Sequence, residues 1–371
     1  MGIRVLMAGG GTSGHINPAV AIADEIKAVS PDSVIEFCGT SRGLENDIIP
    51  RAGYVMHPIR ARGVPSKPSL KMIKAVSDFA AGRKTCMNLI RSFKPDVVIG
   101  TGGYVCSPLV SAASRLHIPV LLHEQNAFPG RSNRLMSRSA DVVCTSFPGM
   151  EEYFPHARSV VFTGNPVKRI FFETSREESR RRLGIPDDTF FLLAMGGSLG
   201  SRTINEAVLA LAEKIGGRDT RIVLSAGKQQ YASLRADESA SNDKIDIREY
   251  IYDQEIYMSA ADLLIVRAGA ITCAEVAALG VPSVMIPYPY AAGDHQTYNA
   301  KAFEKAGACV LLKDSDVTPD VLLGLVSDLK KDKARLADMG KGASGLSKPD
   351  AVHDIVKHVF ILAASENTGK G

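Results

Sequence analysis

The stretch that decides the fold is MAGGGTSGH at residues 7–15, which overlaps the end of the short apolar run Arg4–Ala8. An apolar run that ends in closely spaced glycines and continues into a helical pattern is typical of a strand, a tight turn and a helix. The helical pattern here runs from Pro18 to Val29. The chain therefore opens with a β-α unit whose turn directs backbone N–H groups towards any anion bound there.

The same strand-turn-helix scheme recurs outward from this stretch along all 371 residues. The strand candidates are apolar throughout, as expected when helices cover both faces of a parallel sheet. We therefore expect an α/β fold of two doubly wound, Rossmann-like parallel-sheet domains. The predicted boundaries are an N-terminal domain at 1–163, a C-terminal domain at 164–348, and a C-terminal helix and tail at 349–371, which periodicity assigns to neither domain.

Charge is unevenly distributed although the net charge is only +4. Nine basic residues and one acidic residue lie between Arg60 and Lys94. Such a segment suits the phosphates of a nucleic acid or of anionic lipids, and the alternative is a solvated helix face. The charge-free run Val97–Ser114 is interrupted by glycines and a proline, so any membrane contact is expected to be peripheral.

The six cysteines are scattered and form no C-x-x-C pair. Several lie in apolar runs, which predicts reduced core residues of a cytosolic protein rather than disulfides or a zinc site.

Two further glycine-rich turns follow strand candidates, GTGGY at 100–104 and GGSLGSR at 196–202. Three such turns favour a phosphate-bearing ligand. A P-loop is excluded because no G-x-x-x-x-G-K-[ST] occurs. The first turn superficially suits a dinucleotide fingerprint, but the nearby acid Glu36 lies inside the second strand candidate, so an NAD-dependent enzyme is a weaker alternative.

Polar residues cluster beside these turns in the first half of the chain. His15 stands at a helix N-terminus, where a neutral imidazole is favoured and can act as a general base; the alternative is a capping histidine. The run HEQN at 123–126 ends an apolar strand, and the carboxyl ends of parallel strands are where ligands bind. A buried polar cluster without a ligand is the alternative.

In the second half, RAGAITCAE at 267–275 places Thr272 and Glu275 in the first turns of a helix. The carboxylate suits a ribose diol, and the alternative is a capping pair. Gln296 and Asn299 are predicted to share one helix face. The D-x-D sequence at 314–316 is interpreted as a turn, so no metal is expected.

The order of these motifs resembles the MurG family of bacterial peptidoglycan glycosyltransferases. The resemblance covers nearly the whole chain and rests on these segments: GGTSGHINPA, GTGGYVCSP, HEQNAFPGRSN, GNPV, GGSLGS, RAGAITCAE and DHQTYNA. It implies a GT-B fold with an interdomain cleft, UDP-GlcNAc as donor and lipid I as acceptor, with no cofactor.

The resemblance also implies roles for individual residues. His15, Glu124 and Tyr104 are expected near the transfer site. The expected donor-binding residues are Thr12, Ser13, Gly14, Asn126, Lys168, Ser198, Ile251, Ala270, Ile271, Thr272, Cys273, Ala274, Glu275 and Gln296. Asn299 is added to this set because it is predicted to share a helix face with Gln296. Three positions depart from the family pattern: Ser13 replaces Gly, Leu199 replaces Gln, and Lys168 replaces Arg. Arg169 is the alternative candidate for the donor contact that the family's Arg is expected to make.

The activity implied is inverting transfer of GlcNAc to the C4 hydroxyl of MurNAc in lipid I, with His15 favoured as the base over Glu124. The family also implies a peripheral position on the cytoplasmic face of the bacterial membrane. The basic-apolar segment 60–94 would then meet anionic lipid and not nucleic acid. The alternatives are a diacylglycerol glycosyltransferase, a UDP-GlcNAc 2-epimerase, or a non-catalytic basic binding module.

Overall fold

The computed structural model describes residues 2–65, 69–215, 217, 219–236 and 244–367. The chain divides into two compact units. The first comprises Met1–Val167 together with Asp350–Gly371, and the second comprises Lys168–Pro349. Each unit contains one parallel sheet, so the predicted α/β architecture of two parallel-sheet domains is confirmed.

Seven strands form the first sheet in the order β3-β2-β1-β4-β5-β6-β7, and six form the second in the order β10-β9-β8-β11-β12-β13. The first set is β1 Arg4–Ala8, β2 Val34–Gly39, β3 Val55–Pro58, β4 Val97–Gly100, β5 Val120–Glu124, β6 Val142–Thr145 and β7 Val160–Phe162. The second set is β8 Phe190–Met195, β9 Thr220–Ser225, β10 Asp246–Arg248, β11 Leu263–Val266, β12 Ser283–Met285 and β13 Cys309–Leu311.

Helices connect the strands of both sheets. In the first unit they are α1 Ser13–Val29, α2 Glu45–Arg51, α3 Leu70–Phe93, α4 Cys106–Arg115, α5 Arg131–Met136 and α15 Ala351–Asn367. In the second unit they are α6 Ile170–Glu173, α7 Arg176–Leu183, α8 Arg202–Ile215, α9 Lys228–Ala236, α10 Gln254–Ala260, α11 Ala270–Leu279, α12 His295–Lys305, α13 Pro319–Lys331 and α14 Lys333–Ser344.

The order of strands reverses once in each sheet, between β1 and β4 and between β8 and β11. Loops leave the sheet in opposite directions at such a switch point, which opens a crevice at the carboxyl ends of the two strands. In the first sheet the turns at residues 9–14 and 100–104 flank this point. In the second sheet it is flanked by residues 196–202 and 267–269. The topology therefore pairs the glycine-rich motifs that the sequence presents separately.

The C-terminal helix α15 belongs to the first unit and packs against α1. Ile355 and Val359 of α15 are fully buried in the same apolar cluster as Ile22 and Ile26 of α1. The chain thus completes the second unit and returns to cover the first sheet. Burial of this apolar face, rather than sequence order, assigns the helix to its unit.

All six cysteines are buried and free, as the sequence analysis expected. Burial raises the pKa of the Cys144 thiol to about 12. The six cysteines are therefore buried side chains of the cores, and the Cys144 thiol is protonated at neutral pH.

Gly103 controls how closely the two turns of the first switch point approach. Its φ is +76°, and a Cβ added there would lie 2.1 Å from the carbonyl oxygen of Gly10. No side chain fits this space, so glycine is required both by the backbone conformation and by the contact. The turn after β4 therefore lies directly against the turn after β1.

We predict that Gly103→Ala disturbs the first glycine turn, whereas Gly149→Ala does not. Gly149 has a similar φ of +72° but nothing within 4 Å of an added Cβ, so both variants share a backbone cost of about 1–2 kcal/mol. Overpacking adds about 1–3 kcal/mol only at Gly103. Denaturant unfolding and amide exchange of residues 9–14 check this. Equal losses in the two variants would contradict it.

Candidate active site

The N-terminus of α1 lies at the carboxyl end of β1 without a side-chain cap. Its N-cap residue is Thr12, which has an extended backbone and accepts no capping hydrogen bond on its side chain. Thr12 and Gly14 are exposed and Ser13 is half-buried. N–H groups at the start of this helix are thus available to an anion. The alternative interpretation of His15 as the cap is wrong, because Thr12 holds that position.

His15 lies in the first turn of α1 and is half-buried. Its Nδ1 is 3.0 Å from Oε1 of Gln125, which is almost completely buried at the end of β5. The hydroxyl of Thr101 donates to the carbonyl oxygen of His15 at 2.7 Å. The residues that directly follow β4 and β5 thus both contact His15, Thr101 at its backbone and Gln125 at its imidazole.

The carboxylate of Glu124 is buried and receives four hydrogen bonds. Its Oε1 accepts from the backbone N–H and the side-chain amide of Asn126, at 3.0 and 3.2 Å. Its Oε2 accepts from the backbone N–H of Gly130 at 3.0 Å and from the side-chain amide of Asn133 at 2.9 Å. These hydrogen bonds hold the loop from residue 126 to 130 against the end of β5.

Tyr104 covers the first glycine turn. A Cβ on Gly11 would lie 3.2 Å from its ring, and the side chain is 37% exposed. Partial burial raises the pKa of Tyr104, and nearby Glu45 raises it further. The phenol is therefore protonated at neutral pH and can donate a hydrogen bond.

Glu45, the first residue of α2, belongs to the site although no motif in the sequence indicates it. This buried carboxylate accepts from the N–H of Gly11 at 3.2 Å, and from the N–H and hydroxyl of Thr40 at 3.1 and 2.6 Å. It therefore anchors the first glycine turn. Its position just after the second strand was the available signal. Glu36, the acid considered instead, lies within β2 and pairs with His57 at 2.6 Å.

In the second unit, the turn after β8 leads into α8 through Ser201. Its hydroxyl accepts from the N–H of Ile204 at 3.3 Å and from Nη2 of Arg267 at 2.6 Å. Ser198 and Leu199 on the same turn are exposed. The turn is therefore anchored at one end and presents its other residues to solvent.

Arg267 is a second residue whose role the sequence did not reveal. It donates to the carbonyl oxygens of Ile286 and Pro287, at 3.1 and 3.0 Å, and pairs with Asp314 at 2.6 Å. Asp314 thus forms an ion pair with Arg267, which also binds the loop after β12.

Among the described residues, no group of three His, Cys, Asp or Glu side chains is arranged to hold a metal ion.

Helix α11 begins at Ala270 with Gly269 as its N-cap. The alternative interpretation of Thr272 and Glu275 as a capping pair is therefore wrong, because Thr272 is already inside the helix. Ala270 and Cys273 face the core, and the remaining members of the motif are half-buried: Ile271, Thr272, Ala274 and Glu275.

Burial raises the pKa of Glu275 to about 8. The nearby Lys168 opposes this rise, and Glu255 adds to it. Lys168 is exposed, whereas Arg169 beside it pairs with Glu173 at 2.5 Å. The second unit therefore holds a carboxyl group whose pKa lies near neutral pH, close to the exposed Lys168.

Gln296 and Asn299 on α12 support neighbouring loops. Asn299 is fully buried and donates from Nδ2 to the carbonyl oxygen of Ala268 at 3.1 Å. Gln296 is half-buried and accepts from the N–H of Tyr288 at 2.9 Å. Ile251 is 1% exposed and offers little surface as the structure stands. These contacts fix the turns around the start of α11.

The structure brings the candidate residues together in two groups. The group in the first unit surrounds the switch point between β1 and β4 and contains Thr12, Ser13, Gly14, His15, Tyr104, Glu124 and Asn126. The group in the second unit is centred on the carboxyl ends of β8 and β11 and on the start of α12.

Comparison with known families identifies both units. Residues 5–145 match the glycosyltransferase family 28 N-terminal domain, and residues 191–355 match the glycosyltransferase family 28 C-terminal domain.

Curated relatives cover nearly the whole chain. A protein of Acetivibrio thermocellus is 41% identical over 363 residues, spanning 96% of this chain and 98% of its own. One of Desulforudis audaxviator is 42% identical over 376 residues, spanning 100% of both. Both are described as UDP-N-acetylglucosamine--N-acetylmuramyl-(pentapeptide) pyrophosphoryl-undecaprenol N-acetylglucosamine transferase.

Solved structures agree with these matches. The crystal structure of Acinetobacter baumannii MurG has a TM-score of 0.78 and 32% identity, covering 96% of this chain and 98% of that one. UDP-GlcNAc 2-epimerase from Neisseria meningitidis has a TM-score of 0.66 at 15% identity, covering 96% and 100%, and so shares the fold alone. The chain therefore belongs to glycosyltransferase family 28, within its group of MurG-type N-acetylglucosaminyltransferases.

Proposed function

We infer that this protein transfers N-acetylglucosamine from UDP-GlcNAc to the C4 hydroxyl of MurNAc in undecaprenyl-pyrophosphoryl-MurNAc-pentapeptide, lipid I. The products are lipid II and UDP. The observation that carries this inference is about 40% identity to transferases of this name over the full length of the chain. Incubation of radiolabelled UDP-GlcNAc with a lipid I analogue or with diacylglycerol tests it, and labelling of diacylglycerol alone would contradict it.

In the proposed reaction, the acceptor oxygen forms a bond to the anomeric carbon while the bond from that carbon to the UDP oxygen breaks. Attack opposite the leaving group inverts the anomeric configuration. The electron pair of the breaking bond leaves with UDP, and the hydroxyl proton passes to a base.

We assign the base to His15. It is half-buried in the first turn of α1, where Thr101 and Gln125 hold its backbone and its ring in position. Glu124 is the weaker candidate, because four hydrogen bonds already occupy its oxygens. Tyr104 is assigned to hold the acceptor beside the first glycine turn through its protonated hydroxyl.

The second unit is assigned most of the donor contacts, and Thr12, Ser13, Gly14 and Asn126 of the first unit are assigned the remainder. The N–H groups of the turn at Ser198 and of the start of α11 suit a diphosphate, and the Glu275 carboxylate suits the ribose hydroxyls. Lys168 is favoured over Arg169 as the cation of this site, since Arg169 is already paired with Glu173.

We propose that α3 holds the enzyme on the cytoplasmic face of the membrane. Its start exposes Leu70, Ile73 and Val76, which are 84%, 68% and 59% exposed. Lys71 and Lys74 are exposed between them. An apolar face flanked by cations suits the interface of an anionic bilayer. Lys67, another basic residue of the segment 60–94, lies outside the described residues. Among those that are described, no helix is both long enough and apolar enough to cross a bilayer.

We predict that His15→Ala lowers kcat by about 10²- to 10⁴-fold, the usual contribution of a general base. The affinity for UDP-GlcNAc should stay within about threefold, because the ribose and diphosphate contacts are assigned to the other unit and His15 is not among the donor-binding residues. Turnover assays and calorimetric titration measure the two quantities. His156→Ala, at an exposed histidine of the same unit, is the control. Unchanged turnover in His15→Ala would exclude this assignment.

We predict that the affinity for UDP-GlcNAc rises with pH up to about 8 and then levels off. Ribose hydroxyls donate to the ionised Glu275, and this carboxyl group is mostly protonated below its pKa of about 8. Binding then releases a proton and weakens by up to about tenfold per pH unit below that value. UDP-GlcNAc has no phosphate that titrates between about pH 6 and 8. A pH dependence of the affinity measured by calorimetry in that range therefore comes from the protein.

Glu275→Gln should abolish this dependence, and Glu177→Gln, at an exposed glutamate, should preserve it. A pH dependence that persists in Glu275→Gln would show that another group is responsible.

We predict that Ile73→Glu weakens binding to vesicles containing phosphatidylglycerol by at least about tenfold, because it replaces an inserted apolar group by an anion. Ile361→Glu, at an isoleucine of α15 that is 55% exposed, is the matched control. Vesicle sedimentation measures both variants. Equal binding by the two would contradict the assignment of this surface.

A further inference from the structure

A chain of hydrogen bonds runs from the interior of the first unit to His15. Nε2 of His123 lies 3.1 Å from the carbonyl oxygen of Gly164, and its Nδ1 lies 2.9 Å from Nε2 of Gln125. Oε1 of Gln125 in turn lies 3.0 Å from Nδ1 of His15. His123 is fully buried and Gln125 is 1% exposed, so the chain is shielded from water until it reaches His15.

The orientation of the Gln125 amide follows from its surroundings. Its Nε2 lies 2.8 Å from the carbonyl oxygen of Thr101 and 3.1 Å from that of His123. Carbonyl oxygens only accept hydrogen bonds, so the reversed amide would set oxygen against oxygen at both contacts. The NH₂ group must therefore face the two carbonyls, and the oxygen must face His15.

An amide oxygen also only accepts, so the contact at 3.0 Å requires a proton on Nδ1 of His15. In a neutral imidazole the lone pair then lies on Nε2. Within the described residues, Nε2 of His15 has no hydrogen-bond partner. That nitrogen is the one left to accept a proton.

We propose that Gln125 is a positioning residue that holds His15 in the Nδ1–H tautomer, so that Nε2 carries the basic lone pair. This proposal rests on the proposed function of His15 as the base. Gln125 itself touches no substrate in this scheme and acts only through His15.

His123 completes the arrangement from the buried side. Burial lowers its pKa to about 4, and nearby His15 lowers it further, so His123 is neutral at physiological pH. Its Nε2–H donates to Gly164, which leaves Nδ1 to accept from the Gln125 amide. A neutral His123 thus adds a third acceptor on the NH₂ side and opposes reversal of the amide.

Two glycines hold the ring of His15 in place. A Cβ on Gly102 would lie 2.9 Å from Nδ1 of His15, and one on Gly103 would lie 3.3 Å from its Cδ2. The imidazole therefore lies directly against the backbone of the turn after β4. This contact and the Thr101 hydrogen bond to the His15 carbonyl hold the imidazole in place, and the hydrogen bond to Gln125 then selects Nδ1 as the nitrogen that faces it.

The test is the tautomer of His15 in the full-length protein, read from the ¹⁵N shifts and long-range couplings of its ring. The chain has eight histidines, and the spectrum of His15→Ala assigns the signals. We expect a proton on Nδ1 in the native protein. Gln125→Met keeps the length of the side chain but removes the acceptor, and should shift His15 towards the Nε2–H form.

The same variant should lower kcat by at least about tenfold, with the KM for UDP-GlcNAc within about twofold. In Gln125→Glu, a protonated carboxyl group can donate to the Thr101 carbonyl oxygen and still turn its other oxygen to His15, so this variant should restore the Nδ1–H signal. A thermal melt of each variant shows that it is folded.

A native His15 with its proton on Nε2 would overturn the proposal. So would a folded Gln125→Met that keeps both the Nδ1–H signal and full kcat. If native His15 carries the Nδ1 proton but His15→Ala turns over normally, the tautomer assignment stands and the proposed role of His15 as the base fails.

Discussion

The close approach of Gly103 to the carbonyl oxygen of Gly10 is the constraint on which the rest of the first unit's site depends. With no side chain between them, the turns after β1 and β4 lie in contact at the switch point of the sheet. Thr101 can then reach the backbone of His15, and Gly102 can lie against its ring. Only a backbone without Cβ atoms allows this approach.

The second unit joins its turns by a charged side chain. Arg267 connects the turn after β8, through Ser201, with the loop after β12 and with Asp314. The Arg267 side chain is only 11% exposed, and a charge so placed must be paired and hydrogen-bonded to be tolerated. Both units combine close glycine contacts with a charged side chain, Glu45 in the first and Arg267 in the second, and so position turns around a helix N-terminus.

The run of four polar residues at the end of β5 serves several purposes. His123 faces the interior, Glu124 binds the loop that follows, and Gln125 reaches across to His15. Asn126 donates to Glu124. Successive side chains of a strand point in opposite directions, so neighbouring residues can bind different parts of the unit. Each buried polar group here offsets the cost of burial with a hydrogen bond.

Much of the fold was predictable from local pattern. Apolar runs and glycine turns predicted the strands, because a parallel strand must bury both faces whatever its neighbours. The predicted start of α1 at Pro18 was too late by more than a turn, since Ser13 already begins the helix. Of the site, the motif segments were predictable, whereas Glu45 and Arg267 were not. Their partners are distant in sequence, and only the folded chain reveals them.

The sequence by itself therefore determined the fold class, the glycine turns and, through its motifs, the family. The tertiary structure decided which turns meet, that α15 returns to the first unit, and that Gln125 faces His15. The reason is physical. Strand and turn propensities act between near neighbours in the chain, whereas strand order, burial of an apolar face and the direction of a hydrogen bond depend on residues that are brought together only by folding.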